Sequence, residues 1–256
     1  MILTVDIGNT NIVLGCFDNG QIRFTARIAT ERKKTDMEYA VSFRNILELY
    51  HVDRTDIEGG IIACVVPVLS AVVSSALRLL TGKEPLVIGP GVRTGLTVVS
   101  GNMATLGNDQ VADAVAAVEE YPAPMIIVDM GSANVLIAVD ERKRFIGSVI
   151  APGTVISATA LAESCDALPQ VALEKPRSIL GTSTAESMKS GIVYGAAAML
   201  DGMLQRIEEH IGAPCTVIAT GGVAPAIVPY CRREMLLDPQ LLLKGLYYIY
   251  KRNTRR

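Results

Sequence analysis

Two aspartates, each at the point where an apolar run ends in a turn rich in small residues, are the candidates for phosphate chemistry in this sequence. Asp6 follows the apolar residues 2–5 and precedes Gly8, Asn9 and Thr10. A buried strand that ends in such a turn exposes backbone N–H groups, and glycine lets another group approach the backbone closely. A phosphate and its metal ion need this set of carboxylate, hydroxyl and backbone groups. A plain hairpin turn, whose aspartate accepts local hydrogen bonds, is the alternative.

The same pattern recurs at the start of the second half of the chain. Asp129 follows the apolar residues 125–128 and precedes Gly131 and Ser132, and in each half two further apolar segments follow. Internal similarity on this scale predicts a duplicated domain rather than a short-period repeat. Two such turns facing each other across a cleft would hold a polyphosphate from both sides.

The remaining candidates stand at the ends of predicted strands or at the start of a predicted helix. Residues 89–95 form a loop by composition, in which a cation and a hydroxyl between glycines would receive an anionic or polyol ligand, although a plain turn fits equally well. Asp109 precedes an Ala/Val-rich helix. It is either a helix-start acid, which stabilises the helix by about 0.5–2 kcal/mol, or a carboxylate at the cleft. The Gly221-Gly222 pair either supports a flat ring on its backbone or simply connects a strand to a helix.

The elements that would position these residues follow from hydrophobic periodicity and turn signals. Apolar residues at helical spacing predict helices over residues 37–49, 68–80, 111–119, 154–167, 185–204 and 241–250, and short apolar runs predict strands over 60–66, 85–88 and 216–219. Each half opens with three strands in succession, and the Asn-Gly pair at residues 19–20 predicts a tight hairpin. The prolines at 122 and 124 mark the best boundary, which gives domains of residues 1–120 and 121–256.

Composition and charge narrow the functional classes. With 256 residues, 50% of them hydrophobic, and a net charge of −2, the chain offers no electrostatic reason to expect nucleic acid or a membrane surface as a partner. There is no apolar run of roughly 18 residues and no signal-peptide pattern, so we expect a cytoplasmic protein. Five dispersed cysteines predict reduced, mostly buried thiols. The basic tail, residues 251–256, is expected to be a solvated terminus.

The ordered motifs resemble those of the type III pantothenate kinases, members of the actin-like ATPase and sugar-kinase superfamily, from residue 1 to about residue 246. Residues 6–10 match the family's first phosphate motif, residues 90–95 its substrate loop, Asp109 its catalytic acid and residues 129–132 its second phosphate motif. Further family motifs follow in order at 151–153, 168–169, 190–191 and 220–222. The resemblance implies an α/β fold of two duplicated ribonuclease-H-like domains with a cleft between them.

The resemblance also implies a function, the ATP-dependent phosphorylation of pantothenate to 4′-phosphopantothenate, which is the first step of coenzyme A biosynthesis. Asp109 would accept a proton from the primary alcohol, Asp6 would hold Mg²⁺, usually through water, and Asp129 would hold K⁺ or NH₄⁺. The residues expected to bind ATP are Asp6, Ile7, Gly8, Asn9, Thr10, Asn11, Ile12, Val13, Gly131, Ser132, Gly221 and Gly222. Those expected to bind the substrate are Gly91, Arg93, Thr94, Gly95, Ser100, Gly107, Asn108, Asp109, Gln110 and Thr184, the last reaching into the partner subunit's site in a homodimer.

Several site positions depart from the family pattern. Ser100 stands where the family has Tyr, Met103 where it has Pro, and Asn108 and Gln110 replace the Ala and Arg that flank the catalytic Asp. Losing a guanidinium removes a charged, two-pronged donor for a carboxylate, so we predict weakened pantothenate binding. Two alternatives follow: a kinase of the same fold that acts on another small alcohol, and a non-catalytic relative that binds a ligand as a regulatory or accessory protein.

Overall fold

The computed structural model describes residues 1–99 and 106–254, and these divide into two α/β units. The first unit comprises residues 1–96, 106–116 and 241–254, and the second comprises residues 97–99 and 117–240. Each unit contains a single β-sheet with helices packed on it. Ser100 and Met103 lie outside the described residues.

The sheet of the first unit has five strands in the order β3-β2-β1-β4-β5. Its strands are β1 (Ile2–Ile7), β2 (Asn11–Asp18), β3 (Gln21–Ala29), β4 (Gly59–Cys64) and β5 (Leu86–Val87), and its helices are α1 (Asp36–Leu49), α2 (Pro67–Thr81) and the start of α3 (Asn108–Glu120). Strand β1 pairs antiparallel with β2 and parallel with β4. The turn between β2 and β3 has positive φ at both Asn19 (49°) and Gly20 (88°). This is the two-residue turn that the Asn-Gly pair predicts, because both central positions favour residues that tolerate a left-handed backbone.

The central strand of the first unit is buried on both faces, which explains why its sequence is almost continuously apolar. Side chains of β1 pack in one core cluster with residues of α1 and α2, such as Phe43 and Leu69. Helix α7 (Leu241–Thr254) packs against β1, β2 and β4. A side chain at Gly245 would collide with the backbone of Ala112, so α7 also lies close against α3.

The position of α7 differs from the predicted domain division. The prediction placed residues 121–256 together, whereas α7 belongs to the first unit, and the change of unit falls within α3, between Ala116 and Ala117. The physical reason is the apolar face of α7, where Leu241, Leu243, Leu246 and Ile249 are buried. Composition at the Pro-rich segment could not indicate that the last helix returns to the first sheet.

The second unit repeats the strand order of the first. Its strands are β6 (Thr97–Val98), β7 (Met125–Met130), β8 (Ala133–Val139), β9 (Arg144–Pro152), β10 (Thr216–Thr220) and β11 (Leu236–Leu237), and its helices are α4 (Thr154–Ser164), α5 (Thr184–Ile211) and α6 (Ala224–Ile227). The sheet order is β11-β10-β7-β8-β9-β6. In the reverse direction, the strands β9-β8-β7-β10-β11 correspond one by one to β3-β2-β1-β4-β5 of the first sheet, and β6 is an additional strand beside β9. The predicted duplication is therefore confirmed.

The predicted helices are present, and α5 is longer than expected. Ser183 caps its start by accepting a hydrogen bond from Glu186 N, and Gly212, with φ 81°, ends it. Strands β6 and β11, of two residues each, were not predicted. All five cysteines carry free thiols, as predicted, but only Cys16 and Cys215 are buried, so the prediction that most of them are buried is wrong. No helix among the described residues combines the length and apolar character that a bilayer span requires.

Candidate active site

The first phosphate turn, residues 8–10 between β1 and β2, is closed by backbone hydrogen bonds and held by a residue from the end of β3. Gly8 N donates to Asn11 O at 3.0 Å. Thr30 N donates to Thr10 O at 3.0 Å, and Thr30 Oγ1 donates to Gly8 O at 2.7 Å. The side chains of Asn9 and Thr10 remain exposed. The turn is therefore fixed in shape while it offers polar groups to a ligand.

The eight residues of the first ATP-binding segment can contribute to a site in different ways. Ile7 and Ile12 are fully buried in the core, so they can offer only backbone groups. Asp6 stands at the end of β1, half-buried, opposite Val13 in β2. Burial raises the pKa of the Cys64 thiol, and the Asp6 carboxylate adds to this rise. Asp6 therefore lies near the Cys64 thiol, at the carboxyl end of β4.

The predicted catalytic residue is positioned by its neighbour at the start of α3. Asn108 Nδ2 donates to Cys64 O at 3.2 Å and to Ile88 O at 3.3 Å. These carbonyls lie at the carboxyl ends of β4 and β5, and Cys64 pairs with Ile7 beside the phosphate turn. Asn108 therefore holds Asp109 at the sheet edge that carries the phosphate turn. Ligand sites in open α/β sheets lie at this edge.

Space around Asp109 is limited by the residues on either side. Its Oδ1 accepts a hydrogen bond from Gln110 N at 2.8 Å, and a Cβ at Gly107 would collide with the same oxygen. The Gln110 side chain is buried, and its Oε1 has no hydrogen-bond partner among the described residues. A buried amide oxygen without a partner is costly, so its orientation is consistent with a ligand contact.

The predicted substrate loop, residues 89–95, is held by the last helix. The side chain of Asn253 in α7 accepts from Arg93 N at 3.0 Å and donates to Arg93 O at 2.9 Å. Arg252 Nη1 donates to Thr94 O at 3.1 Å, and a Cβ at Gly95 would collide with its guanidinium. The prediction that the basic tail is only a solvated terminus is therefore wrong for Arg252.

Residues of this loop differ in how available they are to a ligand. Thr94 is buried, and its hydroxyl accepts a hydrogen bond from Leu96 N at 3.2 Å. Arg93 is exposed and Gly91 is open to solvent, with φ 89°. Of the predicted contacts in this loop, the Arg93 side chain is thus the better placed to meet an anion.

The second phosphate motif places a carboxylate against bare backbone. Thr220 in β10 pairs with Asp129 in β7, so Gly221 follows directly beside the carboxylate. Gly221 has φ 88°, and a Cβ there would collide with Asp129 Oδ1 and Met130 O. Carboxylate and carbonyl oxygens are the ligand types that hard cations prefer. The donor set fits the predicted monovalent ion.

The rest of the second motif is similarly close-packed. Gly131 N donates to Ala133 O at 2.9 Å, which closes the turn. A Cβ at Gly153, after β9, would collide with the carbonyl oxygens of Ser132 and Gly131. Gly222 is exposed. This turn therefore presents backbone rather than long side chains.

Thr184 is the first residue of α5, in the second unit. It lines an apolar groove of about 610 Å³ in the second unit, between α4 and α5. Two groove residues, Asn134 and Thr154, are buried, and Asn134 Oδ1 and Thr154 Oγ1 have no hydrogen-bond partner among the described residues. The groove belongs to the second unit, whereas Asp109 and Gln110 belong to the first.

Sequence reasoning missed the residues that support the site from a distance. Asn253 and Arg252 carried no motif, and only their place on a helix that returns to the first sheet reveals their role. Arg32, whose Nη2 donates to Asn9 Oδ1 at 3.4 Å, was also missed. The available signal was the basic run at residues 32–34 directly after the third strand.

Comparisons with known proteins agree with this architecture. The family model of type III pantothenate kinase matches residues 2–206. The type III pantothenate kinase of Bacillus cytotoxicus is 39% identical over 254 residues, which cover 99% of this chain and 97% of that protein.

Solved structures of low sequence identity share the fold. A structure described as a 2-dehydro-3-deoxygalactonokinase from Sinorhizobium meliloti gives a TM-score of 0.59 at 10% identity, with 100% of both chains covered. ROK hexokinase from Thermus thermophilus gives 0.50 at 14% identity, with 98% of both chains covered. These likenesses confirm the predicted two-domain α/β kinase fold. The extent and identity of the family match lead to one conclusion: the chain belongs to the type III pantothenate kinase family.

Proposed function

We propose that this protein transfers the γ-phosphoryl group of ATP to the primary alcohol of pantothenate and so forms 4′-phosphopantothenate, the first step of coenzyme A biosynthesis. The observation that carries the proposal is the Asn108 anchor, which holds Asp109 at the same sheet edge as the phosphate turn. Membership of the pantothenate kinase family supplies the substrate class. A cytoplasmic location fits such an enzyme and its five free thiols.

The phosphates of ATP are held mainly by the first turn. Catalysis of phosphoryl transfer depends on positioning and charge neutralisation, because the protein itself does little covalent chemistry. The exposed groups of Asn9 and Thr10, and backbone from the first turn and from Gly131 and Ser132, provide the positioning. Asp6 holds Mg²⁺ through water, since that ion keeps part of its hydration shell. When bound, the metal ion neutralises charge that develops on the phosphate oxygens.

Asp129 holds a monovalent cation, K⁺ or NH₄⁺. A carboxylate facing a polyphosphate repels it unless a positive charge lies between them. Asp129 Oδ1 and Met130 O both lie close against Gly221, and together they would supply oxygen ligands for such an ion. Gly221 and Gly222 support the nucleotide with backbone.

Asp109 is the general base. A positioned carboxylate that accepts the proton of the attacking hydroxyl typically contributes about 10²–10⁴-fold to the rate. The Gln110 N–H bond to Oδ1 and the lack of a side chain at Gly107 fix its orientation. Gln110, Arg93 and the neighbouring loop residues contact the pantothenate end of the site.

The protein acts as a homodimer in which Thr184 contributes to the partner's substrate site. Supporting this, the chain segment that contains the groove residues Ala151, Pro152, Thr154 and Leu161 exposes large apolar side chains. Within residues 150–180 they are Ile150, Val155, Ile156, Leu161, Ile179 and Leu180, the last 79% exposed. A contiguous exposed apolar surface marks an interaction site in many proteins.

A coupled assay of ADP release, run with pantothenate and with a panel of small neutral and anionic alcohols, tests the activity. Turnover with pantothenate above all other alcohols supports the proposal. Preference for a neutral alcohol would favour the alternative, a kinase of the same fold that acts on another small alcohol. The observation that favours this alternative is the uncharged Gln110 side chain. Tight ATP binding without turnover on any alcohol would favour a non-catalytic relative.

Subunit mixing tests the shared site. Asp109→Asn and Thr184→Arg chains, each inactive alone, are unfolded together and refolded. If Thr184 serves the partner's site, half of the dimers regain one intact site, and about a quarter of the wild-type activity returns. If Thr184 serves its own chain's site, no activity returns. Sedimentation of the wild type as an active monomer would contradict the dimer itself.

A further inference from the structure

The segment that follows β3, residues 30–35, places an arginine beside the first phosphate turn. We call it the basic segment, and it contains Arg32, Lys33 and Lys34. Its first residue, Thr30, makes the two hydrogen bonds to Gly8 O and Thr10 O that hold the turn. The basic segment is therefore attached to the phosphate turn through the hydrogen bonds of Thr30.

The basic segment is fixed at three points along its length. After Thr30, the buried Tyr39 holds Glu31, because its hydroxyl accepts from Glu31 N at 3.0 Å and donates to Glu31 O at 2.9 Å. At the far end, Thr35 caps α1 in a reciprocal capping box with Glu38. A backbone tied down on both sides of Arg32 lowers the entropy that its side chain and backbone would lose on meeting a ligand.

Arg32 points to the phosphate turn, and its two neighbours do not share its contact. Arg32 Nη2 donates to the Asn9 side chain at 3.4 Å. The Lys34 ammonium lies 5.6 Å from the centre of the Tyr39 ring. The guanidinium of Arg32 has no carboxylate within ion-pairing distance in the part of the chain that the structure describes. Several of its five N–H donors thus remain for another partner.

The phosphate motifs themselves lack positive charge. Residues 6–13 and 129–135 contain neither Lys nor Arg. Kinases and related phosphoryl-transfer enzymes place a lysine or arginine on the phosphates, where it stabilises the charge that develops during transfer. An Arg suits this task because its planar fork can bind two phosphate oxygens.

We propose that Arg32 binds the γ-phosphoryl oxygens of the nucleotide and stabilises their charge during transfer, a role that rests on the proposed kinase function. The bond between the γ-phosphorus and the bridging oxygen of ADP breaks, and a bond to the alcohol oxygen forms. The alcohol proton passes to Asp109, and Arg32 stays protonated throughout. Asn9 orients the guanidinium before the nucleotide arrives.

A pair of substitutions in the basic segment tests this role. Arg32→Ala removes the guanidinium, and Lys33→Ala removes an equal charge from the adjacent exposed position. We expect Arg32→Ala to lower kcat by roughly 10²–10³-fold, the range for losing one transition-state donor. Lys33→Ala should stay within about twofold of wild type. Added guanidinium ion should restore part of the lost rate in Arg32→Ala only.

Nucleotide binding without any alcohol provides a second readout, independent of turnover. Titration calorimetry with Mg-ATP and Mg-ADP should reveal that Arg32→Ala weakens ATP binding by about tenfold and leaves ADP binding nearly unchanged. The melting temperature should not change, since Arg32 is exposed. Equal ATP affinity in wild type and Arg32→Ala, or an equal loss in Lys33→Ala, would overturn the assignment. If the wild type binds ATP through Arg32 yet phosphorylates no alcohol, the proposed function fails and the Arg32 assignment stands.

Discussion

The two units of this protein share a strand order but treat the segment after their third strand differently. In the first unit, β3 leads into the basic segment, which is bonded to the phosphate turn and carries three cations. In the second unit, β9 leads into Gly153, which lies against the carbonyl oxygens of Ser132 and Gly131 and brings no charge. The first turn exposes Asn9 and Thr10, whereas the second is a shorter turn of small residues.

This difference indicates a division of labour after duplication. The first unit supplies cationic and polar side chains, together with the carboxylate of Asp109. The second supplies carbonyl and carboxylate oxygens around Gly221, and an apolar groove. Substitutions in the first unit should therefore change the rate of transfer and the recognition of the alcohol. Substitutions around Gly221 in the second unit should change the dependence on a cation.

The largest loss of activity should follow substitution of Asp109, the proposed general base in the first unit. We expect Asp109→Asn to lower kcat by roughly 10²–10⁴-fold, because an amide cannot accept the alcohol proton. The melting temperature should change little, since the hydrogen bond from Gln110 N can still be accepted by the amide oxygen. Glu120→Gln, near the exposed end of the same helix, is the matched control and should be neutral. If Asp109→Asn keeps the turnover of the wild type, Asp109 is not the base and only stabilises the start of α3.

Substitution of Asp129 in the second unit should have a smaller effect, on the cation requirement and on ATP binding. The wild type should require K⁺ or NH₄⁺, and Asp129→Ala should abolish that requirement and weaken ATP binding by about tenfold or more. Removing the carboxylate removes the cation's ligand beside Gly221. Rates measured in potassium, ammonium and sodium buffers, with Glu141→Ala as the control, decide the matter. Equal wild-type rates in sodium and potassium buffers would contradict the proposal that the second unit binds a monovalent cation.

The sequence was sufficient for features that a local pattern encodes. The hairpin at Asn19 and Gly20, the longer helices and the two strand-turn motifs follow from turn chemistry and periodicity. The repeat was visible because both halves use the same pattern. The return of α7 to the first sheet was not predictable, since it depends on which apolar face remains uncovered after the sheet forms. The supports of the site, such as Asn253 on Arg93, were missed for the same reason.

The return of α7 leads to a prediction for the substrate loop. Asn253→Ala removes two hydrogen bonds to Arg93, each worth about 0.5–1.5 kcal/mol. The loop should then lose order, and the KM for the alcohol should rise roughly tenfold, with little change in the KM for ATP. Thr254→Ala, on the same helix, is the control, because the Thr254 hydroxyl donates to Tyr250 O and not to the loop in the part of the chain that the structure describes. A rise in both KM values would indicate that α7 supports the whole unit rather than this loop.

The smallest expected effect concerns the charge beside the base. Pantothenate carries a carboxylate, and Gln110 stands where the resemblance to the family implies an Arg after the proposed base. A hydrogen bond involving a charged group is worth about 1.5–3 kcal/mol, against about 0.5–1.5 kcal/mol for a neutral pair. The wild type should therefore have a raised KM for pantothenate, and Gln110→Arg should lower it by at most about tenfold.

The matched variant for this position is Gln110→Met, which keeps the length of the side chain but offers neither charge nor hydrogen bond. Because Gln110 is buried with Oε1 unpartnered among the described residues, Met should fit without loss of stability. It should not lower the KM for pantothenate. Combining Gln110→Arg with Ser100→Tyr should lower the KM further, because a Tyr adds apolar contact area. The contrary result is a low KM of the wild type for pantothenate that Gln110→Arg raises. It would mean that the pocket beside Gln110 is shaped for a neutral group, and that the cationic side chains of the first unit bind only phosphates.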